Sequence, residues 1–453
     1  MLRKTVEMVG NMNFVENRIE IREKRIRYTA VTAILSKVLA MLVPLVTVRY
    51  AYDYLGAEIY GLWNTVLSFF SMFAFADLGL GSGLQTALSQ SSGRDDETYG
   101  RKLVSSTYLI LVISTLVILL GVLIVFPMVD WSGVMNVESE TAEKLVGAVV
   151  LIIVTSKLLN VPFSLVNRTQ LALQEGYKGN LWQCAANILS MGLIILIVLR
   201  NLGQIPLIVA STYTVVVVSV FNFWIYFGIE RKEYAPRLKY ADRKAGKEML
   251  RIGIAFCLLS VFTSLGLSLD SFIVARISSL GESATYSILY RAVNLIGVGC
   301  GMLSAPLWGV FGEALERGDD KWVQIRARKT ALLSLAIAGA GTLGFLLIGK
   351  TVFQIWLGKP LEYSSFMLLG MALHQCLLSF ISSYFMVLNA RGVVKKQIYI
   401  FIWYTVVSLI LKFAAGRFFG IDWIPMVGTI CYGVMVVPYV YRTAKNEIDR
   451  REK

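Results

Sequence analysis

Six charged residues interrupt stretches of this sequence that are otherwise almost wholly apolar: Lys37, Asp77, Lys157, Asp270, Arg291 and Lys412. A charge in apolar surroundings is costly, and it persists where it meets a partner, a polar cavity or a bound ion. Lys157 is the best placed to take an anion. It lies twelve residues into its run, roughly 18 Å deep at ~1.5 Å per residue. Asn160, Ser164 and Asn167 follow it at helical steps, so the four share one polar face. That face suits an anion such as pyrophosphate; the plainer reading is a lysine paired with a carboxylate inside a bundle. Lys37, with Thr29, Thr32 and Ser36 near its face, either lines a cavity or reaches the membrane surface along its own stem. Asp270 and Arg291 fall at one depth on consecutive runs. Equal depth suggests a salt pair, structural or at an outer gate. The sharper alternative has Arg291 binding phosphate while Asp270 exchanges a proton or cation. Asp77, below the Asn64, Ser68, Ser71 stripe and beside Gly79, Gly81 and Gly83, is a second candidate for ion coupling, a partner for Lys37, or an interfacial residue. Lys412, near the end of its run, is expected to snorkel. The candidate cavity set is therefore Lys157, Lys37, Arg291, Asn160, Ser164 and Asn64, with Asp270 and Asp77 for coupling or gating.

Other chemistries find little support. One histidine, His374, excludes catalysis built on several; in a helix it either titrates with pH or is simply hydrogen-bonded. Cys184, Cys257, Cys300, Cys376 and Cys431 are scattered singly, with neither metal-ligand nor disulfide spacing. Gly344 to Thr351 matches the phosphate-loop pattern literally, but its intervening residues are lipid-grade apolar and no strand precedes it. The acidic clusters Asp95-Asp96-Glu97 and Asp319-Asp320 lack a soluble domain to complete a sugar-nucleotide site and read as solvated loop charges. No catalytic residue, metal or cofactor is expected.

The elements that must carry these residues follow from composition. Of 453 residues, 56% are hydrophobic and 16% charged, against ~25% charged in a soluble domain, and mean hydropathy is +0.63. A bilayer crossing needs ~20 apolar residues. Twelve runs qualify: 29–50, 59–79, 104–127, 145–167, 181–199, 205–228, 252–277, 284–311, 329–349, 363–388, 397–416 and 421–441. They do not alternate as barrel strands would, so helices are expected. With the N-terminus placed inside, 33 of the 44 Lys and Arg residues fall on inside segments and 7 outside, which orients both termini to the cytoplasm. The same asymmetry accounts for the net charge of +14 without nucleic acid. No cleavable leader is expected, since residues 1–28 are polar and basic. The organisation read from the sequence is a cytoplasmic segment 1–28, a first lobe 29–228, a basic linker 229–251, a second lobe 252–441 and a tail 442–453.

Three motif pairs suggest that the lobes are copies. Leu55-Gly56-x3-Tyr60 matches Leu280-Gly281-x4-Tyr286, and Trp131-x-Gly133 matches Trp356-x-Gly358. Leu173-Gln174-x-Gly176 matches Leu388-Asn389-x2-Gly392 at a shorter offset, as expected if the outside loop 128–144 is longer than its counterpart. An even number of helices per copy makes the repeats parallel.

The stretch Tyr54-Leu-Gly-Ala-Glu-Ile-Tyr-Gly-Leu-Trp63 followed by Asp77-Leu-Gly-Leu80 resembles the Wzx-type polysaccharide flippases, of the multidrug/oligosaccharidyl-lipid/polysaccharide exporter superfamily. So do Asp270-Ser-Phe-Ile-Val274, Trp356-Leu-Gly358 and Leu388-Asn-Ala-Arg-Gly392. The resemblance covers roughly 29–440. It implies an all-α membrane protein with two six-helix lobes around a cavity. It further implies alternating access, a polyprenyl-pyrophosphate oligosaccharide as substrate, a bacterial inner membrane, and a polysaccharide polymerase and assembly proteins as partners beside membrane lipids. The alternatives are a drug or cation antiporter of the same superfamily, a lipid II flippase, and a membrane glycan polymerase or ligase. The charges within the runs lean basic, which favours an anionic head group over a cation. The short outer loops leave no room for a catalytic domain.

Overall fold

The structure, a computed structural model, describes residues 2–71, 77–135, 139–278, 280–357 and 362–449. Every described element is helical, as the bilayer requires. Nothing in hydrocarbon can solvate an open N–H or C=O, and a helix closes each of them within its own segment.

The chain divides into two compact units, Met1–Gly253 and Ile254–Lys453. The first holds α1 (Leu2–Leu55), α2 (Ala57–Ser71), α3 (Leu80–Gly93), α4 (Glu97–Val125), the short α5 (Trp131–Met135), α6 (Glu140–Ala172), α7 (Gly176–Arg200) and α8 (Gln204–Ile225). The unit boundary falls within α9 (Arg243–Ser268). The second unit continues with α10 (Asp270–Ile277), α11 (Leu280–Ser304), α12 (Leu307–Arg317), α13 (Asp320–Leu357), α14 (Ser365–Ala390), α15 (Val394–Phe419), α16 (Trp423–Cys431) and α17 (Val437–Ile448). Eleven helices are long and apolar enough to cross a membrane among the described residues. The remaining expected run, 59–79, passes over 72–76, which lie outside them.

Helix starts follow ordinary capping chemistry. Asp96 accepts from the Tyr99 N–H at the start of α4, and Ser139 from the Ala142 N–H at the start of α6, where Glu140 and Glu143 also suit the helix dipole. The unit interiors are apolar, centred on Leu80, Leu84, Leu103 and Tyr226 in the first and on Val274, Leu289, Phe353 and Ile424 in the second. Their exteriors are apolar too: Leu116, Val117, Leu120 and Ile124 on α4 and Leu332, Leu343, Leu347 and Ile355 on α13 are exposed. Helices apolar on every side are what lipid selects.

The duplication is visible in the turns. Asp96 N–H donates to the Ser91 carbonyl around the left-handed Asp95, and Asp319 N–H to the Ala314 carbonyl around the left-handed Gly318. Likewise Glu175 N–H reaches the Gln170 carbonyl around Gln174 (φ 61°), and Val393 N–H the Leu388 carbonyl around Gly392 (φ 68°). Both closures are helix-ending Schellman turns. The third pair, Gly203 and Gly420, has φ of 104° and 94°.

The basic segment after α8 is not a free tether. It packs on α4: Arg101 Nε donates to the Glu233 carbonyl, Arg237 N–H to Ser105 Oγ at 3.2 Å and Asp242 N–H to Ser106 Oγ at 2.9 Å. Its Arg231, with Lys178, grips the buried Glu175 beside the left-handed turn. The equivalent turn in the second unit reverses the charges: Arg391 faces Glu316 and Asp320, at 3.8 and 3.6 Å. Asp320 is therefore an ion-pair member and not a solvated loop charge.

Two predictions follow from these turns. Gln174→Gly relieves a non-glycine residue at positive φ and raises stability by about 0.5–1 kcal/mol, read as a higher Tm in detergent. For Glu175, burial alone pushes the carboxyl up, but hydrogen bonds and charge from Arg231 and then Lys178 outweigh it and hold the group below its ordinary range. Its contribution is therefore complete above an unfolded value of about 4.3 and is lost as pH falls through the lower folded value. Glu175→Gln lowers Tm at neutral pH and removes part of the acid-side decline.

Candidate functional site

The polar face of α6 forms as its spacing requires. Lys157 lies near the middle of this helix and is exposed, and it makes no ion pair or hydrogen bond among the described residues. Asn160 is next on the face; its Oδ1 is buried without a partner. Ser164 Oγ donates back to the Val161 carbonyl at 2.9 Å. Pro162 falls within the stretch; it cannot donate to the Leu158 carbonyl, and such a proline bends a helix. Asn167 accepts from Asn222 Nδ2 on α8 at 3.2 Å.

Lys37 is exposed on α1. Its neighbours tie that helix to α7: Asn180 Nδ2 donates to the Thr29 carbonyl and to Thr32 Oγ1, both at 3.0 Å. The Asn64 side chain lies outside the described residues. Asp77 accepts from the Gly79 N–H at 2.9 Å. A Cβ on Gly81 would lie 3.0 Å from Asp77 Oδ2 and 3.1 Å from Arg168 Cγ, so the neighbouring cation of Asp77 is Arg168 and not Lys37. Arg168 Nη1 also donates to Gln85 Oε1 at 3.3 Å. Arg168 directly follows the apolar run 145–167 and so stands outside the charges that interrupt the runs.

The second unit corrects the expected charge pair. Asp270 does not pair with Arg291, which is exposed. Lys412 Nζ donates to Asp270 Oδ1 at 2.6 Å, and the Tyr286 hydroxyl donates to Oδ2 at 2.9 Å. Nor does Lys412 snorkel: its side chain is 2% exposed. Space for it comes from Gly428, where a Cβ would lie 2.5 Å from Lys412 Cε. The helix breaks at Leu269, which places Asp270 in the first turn of α10, where the dipole favours an acid. Tyr404 and Tyr432 are buried, their rings 5.4 Å apart, and His374 packs edge-on against Tyr432 at 5.1 Å. Depth alone could not reveal the partner, because Lys412 arrives from a helix 142 residues away.

The two copies differ where it matters. Counted back from the turn residues Gln174 and Gly392, Lys157 stands in the register of Gln375. Gln375 is buried and donates through Nε2 to Asn294 Oδ1 at 3.3 Å. The fold therefore does not itself require a cation at this position.

Residues 29–305 match the family model described as polysaccharide biosynthesis protein. The chain belongs to this family. A putative O-antigen export protein of Yersinia pseudotuberculosis is 22% identical over 412 residues, 88% of each chain. Among solved structures, a Vibrio cholerae MATE transporter in its bent form superposes with a TM-score of 0.80 at 13% identity, over 95% of this chain and 98% of that one. A multidrug/oligosaccharidyl-lipid/polysaccharide superfamily transporter from Pyrococcus furiosus gives 0.78 at 16% identity, over 95% and 97%. The fold of this chain is thus the one those transporters share.

Removing one member of the Asp270–Lys412 pair strands a buried charge. Asp270→Asn is expected to cost about 3–5 kcal/mol, seen as a lower Tm in detergent, and Asp270→Asn with Lys412→Met to recover most of it.

Proposed function

We propose that this protein is a flippase. It carries a polyprenyl-pyrophosphate-linked oligosaccharide from the cytoplasmic to the outer leaflet by alternating access, without covalent chemistry of its own. Membership of the polysaccharide biosynthesis family and the O-antigen export relative support the substrate class. The observation that carries the reading is the uncompensated cation midway along α6. A pyrophosphate is an anion that a membrane protein can meet only with donors and positive charge, and Lys157 offers both. Lys37 and Arg291, also exposed, are proposed as further contacts, with Asn160, Ser164 and Asn64 as polar lining. A cation antiporter would instead present free carboxylates, yet Asp270 is bound by Lys412 and Asp77 lies beside Arg168.

The distribution of basic residues supports cytoplasmic termini and an inner-membrane location. Consumption of the glycan by a polymerase and assembly proteins outside would then draw transport forward. Asp270, held by Lys412, and Asp77, beside Arg168, are on this reading assigned to holding the fold and not to coupling an ion gradient.

The test is leaflet exchange of a fluorescent polyprenyl-pyrophosphate oligosaccharide in liposomes. Wild type is expected to accelerate it. Lys157→Ala should slow it about 10–100-fold, the range of one charge-assisted hydrogen bond, and Lys157→Arg should keep most of the rate. Exchange indifferent to Lys157→Ala would remove the site assignment; no exchange by folded wild type would remove the flippase reading.

A further inference from the structure

The basic segment between α8 and α9 divides its charges unequally between the protein and the outside. Residues 229–251 hold eight Lys and Arg against four Asp and Glu. Each acid has a partner within the first unit. Glu230 pairs with Lys178 at 2.7 Å and Glu233 with Arg231 at 3.3 Å. Asp242 accepts from the Ala245 N–H at 2.9 Å, and Glu248 from the Tyr99 hydroxyl. Arg237, Lys239 and Lys247 are exposed and make no ion pair among the described residues. Between the first two stands Leu238, 78% exposed. The negative charge of the segment is thus engaged by the protein, and the positive charge left over faces out.

The height of the segment is set by α4. Arg237 N–H donates to Ser105 Oγ and Asp242 N–H to Ser106 Oγ, and Ser106 Oγ lies 3.1 Å from the Asp242 carbonyl. These serines are the second and third residues of the apolar run 104–127, within about 5 Å of its end. The single helical turn Leu238–Tyr240 between the two anchors is therefore held where hydrocarbon gives way to headgroups. Its Tyr240 ring has Arg101 and Lys239 each at 4.8 Å, and aromatic rings with long basic side chains are the residues that suit this layer. A single exposed leucine needs no explanation in water. At this height it has hydrocarbon to enter, and the cations on either side of it have phosphate to meet.

We infer that this segment docks on anionic phospholipid headgroups, with Leu238 in the acyl region and Arg237 and Lys239 on phosphate. The inference stands apart from the flippase reading. Orienting the chain in a bilayer asks only for the sign of these charges. It does not ask that their backbone be tied to α4, nor that a leucine be held out between two of them. Charge complementarity selects the occupant: a zwitterionic headgroup leaves the positive charge unmet, and a soluble polyanion meets the cations but offers nothing to Leu238. Each cation near an anionic surface is worth about a fivefold change in binding.

The test uses the full-length protein in phosphatidylcholine nanodiscs. Leu238→Trp places a reporter on the segment, and its fluorescence is read as the difference from wild type. Quenching by acyl-brominated phosphatidylglycerol is compared with quenching by brominated phosphatidylcholine at equal mole fraction. Both lipids are expected to quench, with about fivefold or greater preference for phosphatidylglycerol at low salt. That preference should fall towards one at about 1 M salt, where the screening length is ~3 Å. Adding Arg237→Gln and Lys239→Gln should bring it near one at low salt too, while Tm in an uncharged detergent stays unchanged, because both side chains are exposed. No quenching by either lipid, equal quenching by both at low salt, or a preference that survives loss of the two cations would overturn the proposal. Polyglutamate that perturbs the reporter in discs where phosphatidylglycerol does not quench it would assign the surface to an acidic protein instead.

Discussion

Hydrocarbon solvates neither an open peptide group nor a charge, and most of this structure follows from that. Peptide groups are closed by making every described element a helix. Where a helix must stop, a left-handed residue folds the last carbonyls onto the next amides, as at Asp95, Gln174, Gly318 and Gly392. Charges are handled in the same local way. The break at Leu269 frees the first turn of α10, and the acid placed there is closed on one oxygen by Lys412 and on the other by Tyr286. The pair holds α10 to α15 and α11 with two short bonds, and it leaves that part of the second unit electrically satisfied.

A duplicated fold offers an internal control. The turns after α3 and α12, after α6 and α14, and after α7 and α15 repeat one another in backbone conformation, so features absent from one copy are not demanded by the architecture. Lys157 against Gln375 is such a difference. In the second copy the position is filled by an amide that finds a fixed partner in Asn294. In the first it is a cation that finds none among the described residues. The amide network of Asn167, Gln170 and Asn222 belongs to the first copy as well. Lys157 is therefore something the first unit adds to the shared architecture.

The helices and their number were largely legible, because a run of twenty apolar residues carries its own length and periodicity. The duplication was legible through glycines and aromatic residues at turns, though Gln174 shows that the conformation survives without glycine. The polar face of α6 was legible because its members are neighbours in sequence. Partnerships were not. Asp270 and Arg291 share a depth, but depth is one coordinate; rotation about each helix and the approach of α15 decide the contact, and neither is written in local sequence. Lys412 was misread for a related reason. Near a span end a lysine has a surface within reach, and only the cavity left by Gly428 shows that its side chain goes inward.

The contrast between Lys412 and Lys157 bears on what a carrier needs. An unpaired lysine at the middle of a membrane helix costs about 2.5–3.5 kcal/mol on insertion scales, and this chain can remove such a cost, as it does with Asp270. A resident carboxylate beside Lys157 would do the same, but it would also compete with every arriving anion and hold the site neutral. Left without one, and on the proposed flippase reading, the lysine would gain most when a substrate's phosphates supply the missing charge, and would return to the costly state when they leave. A binding site that must release its ligand on the far side benefits from that balance: the free state is poor enough to favour loading and not so deeply satisfied when loaded that release is blocked. A fixed ion pair serves the fold, and an open cation serves a ligand that comes and goes.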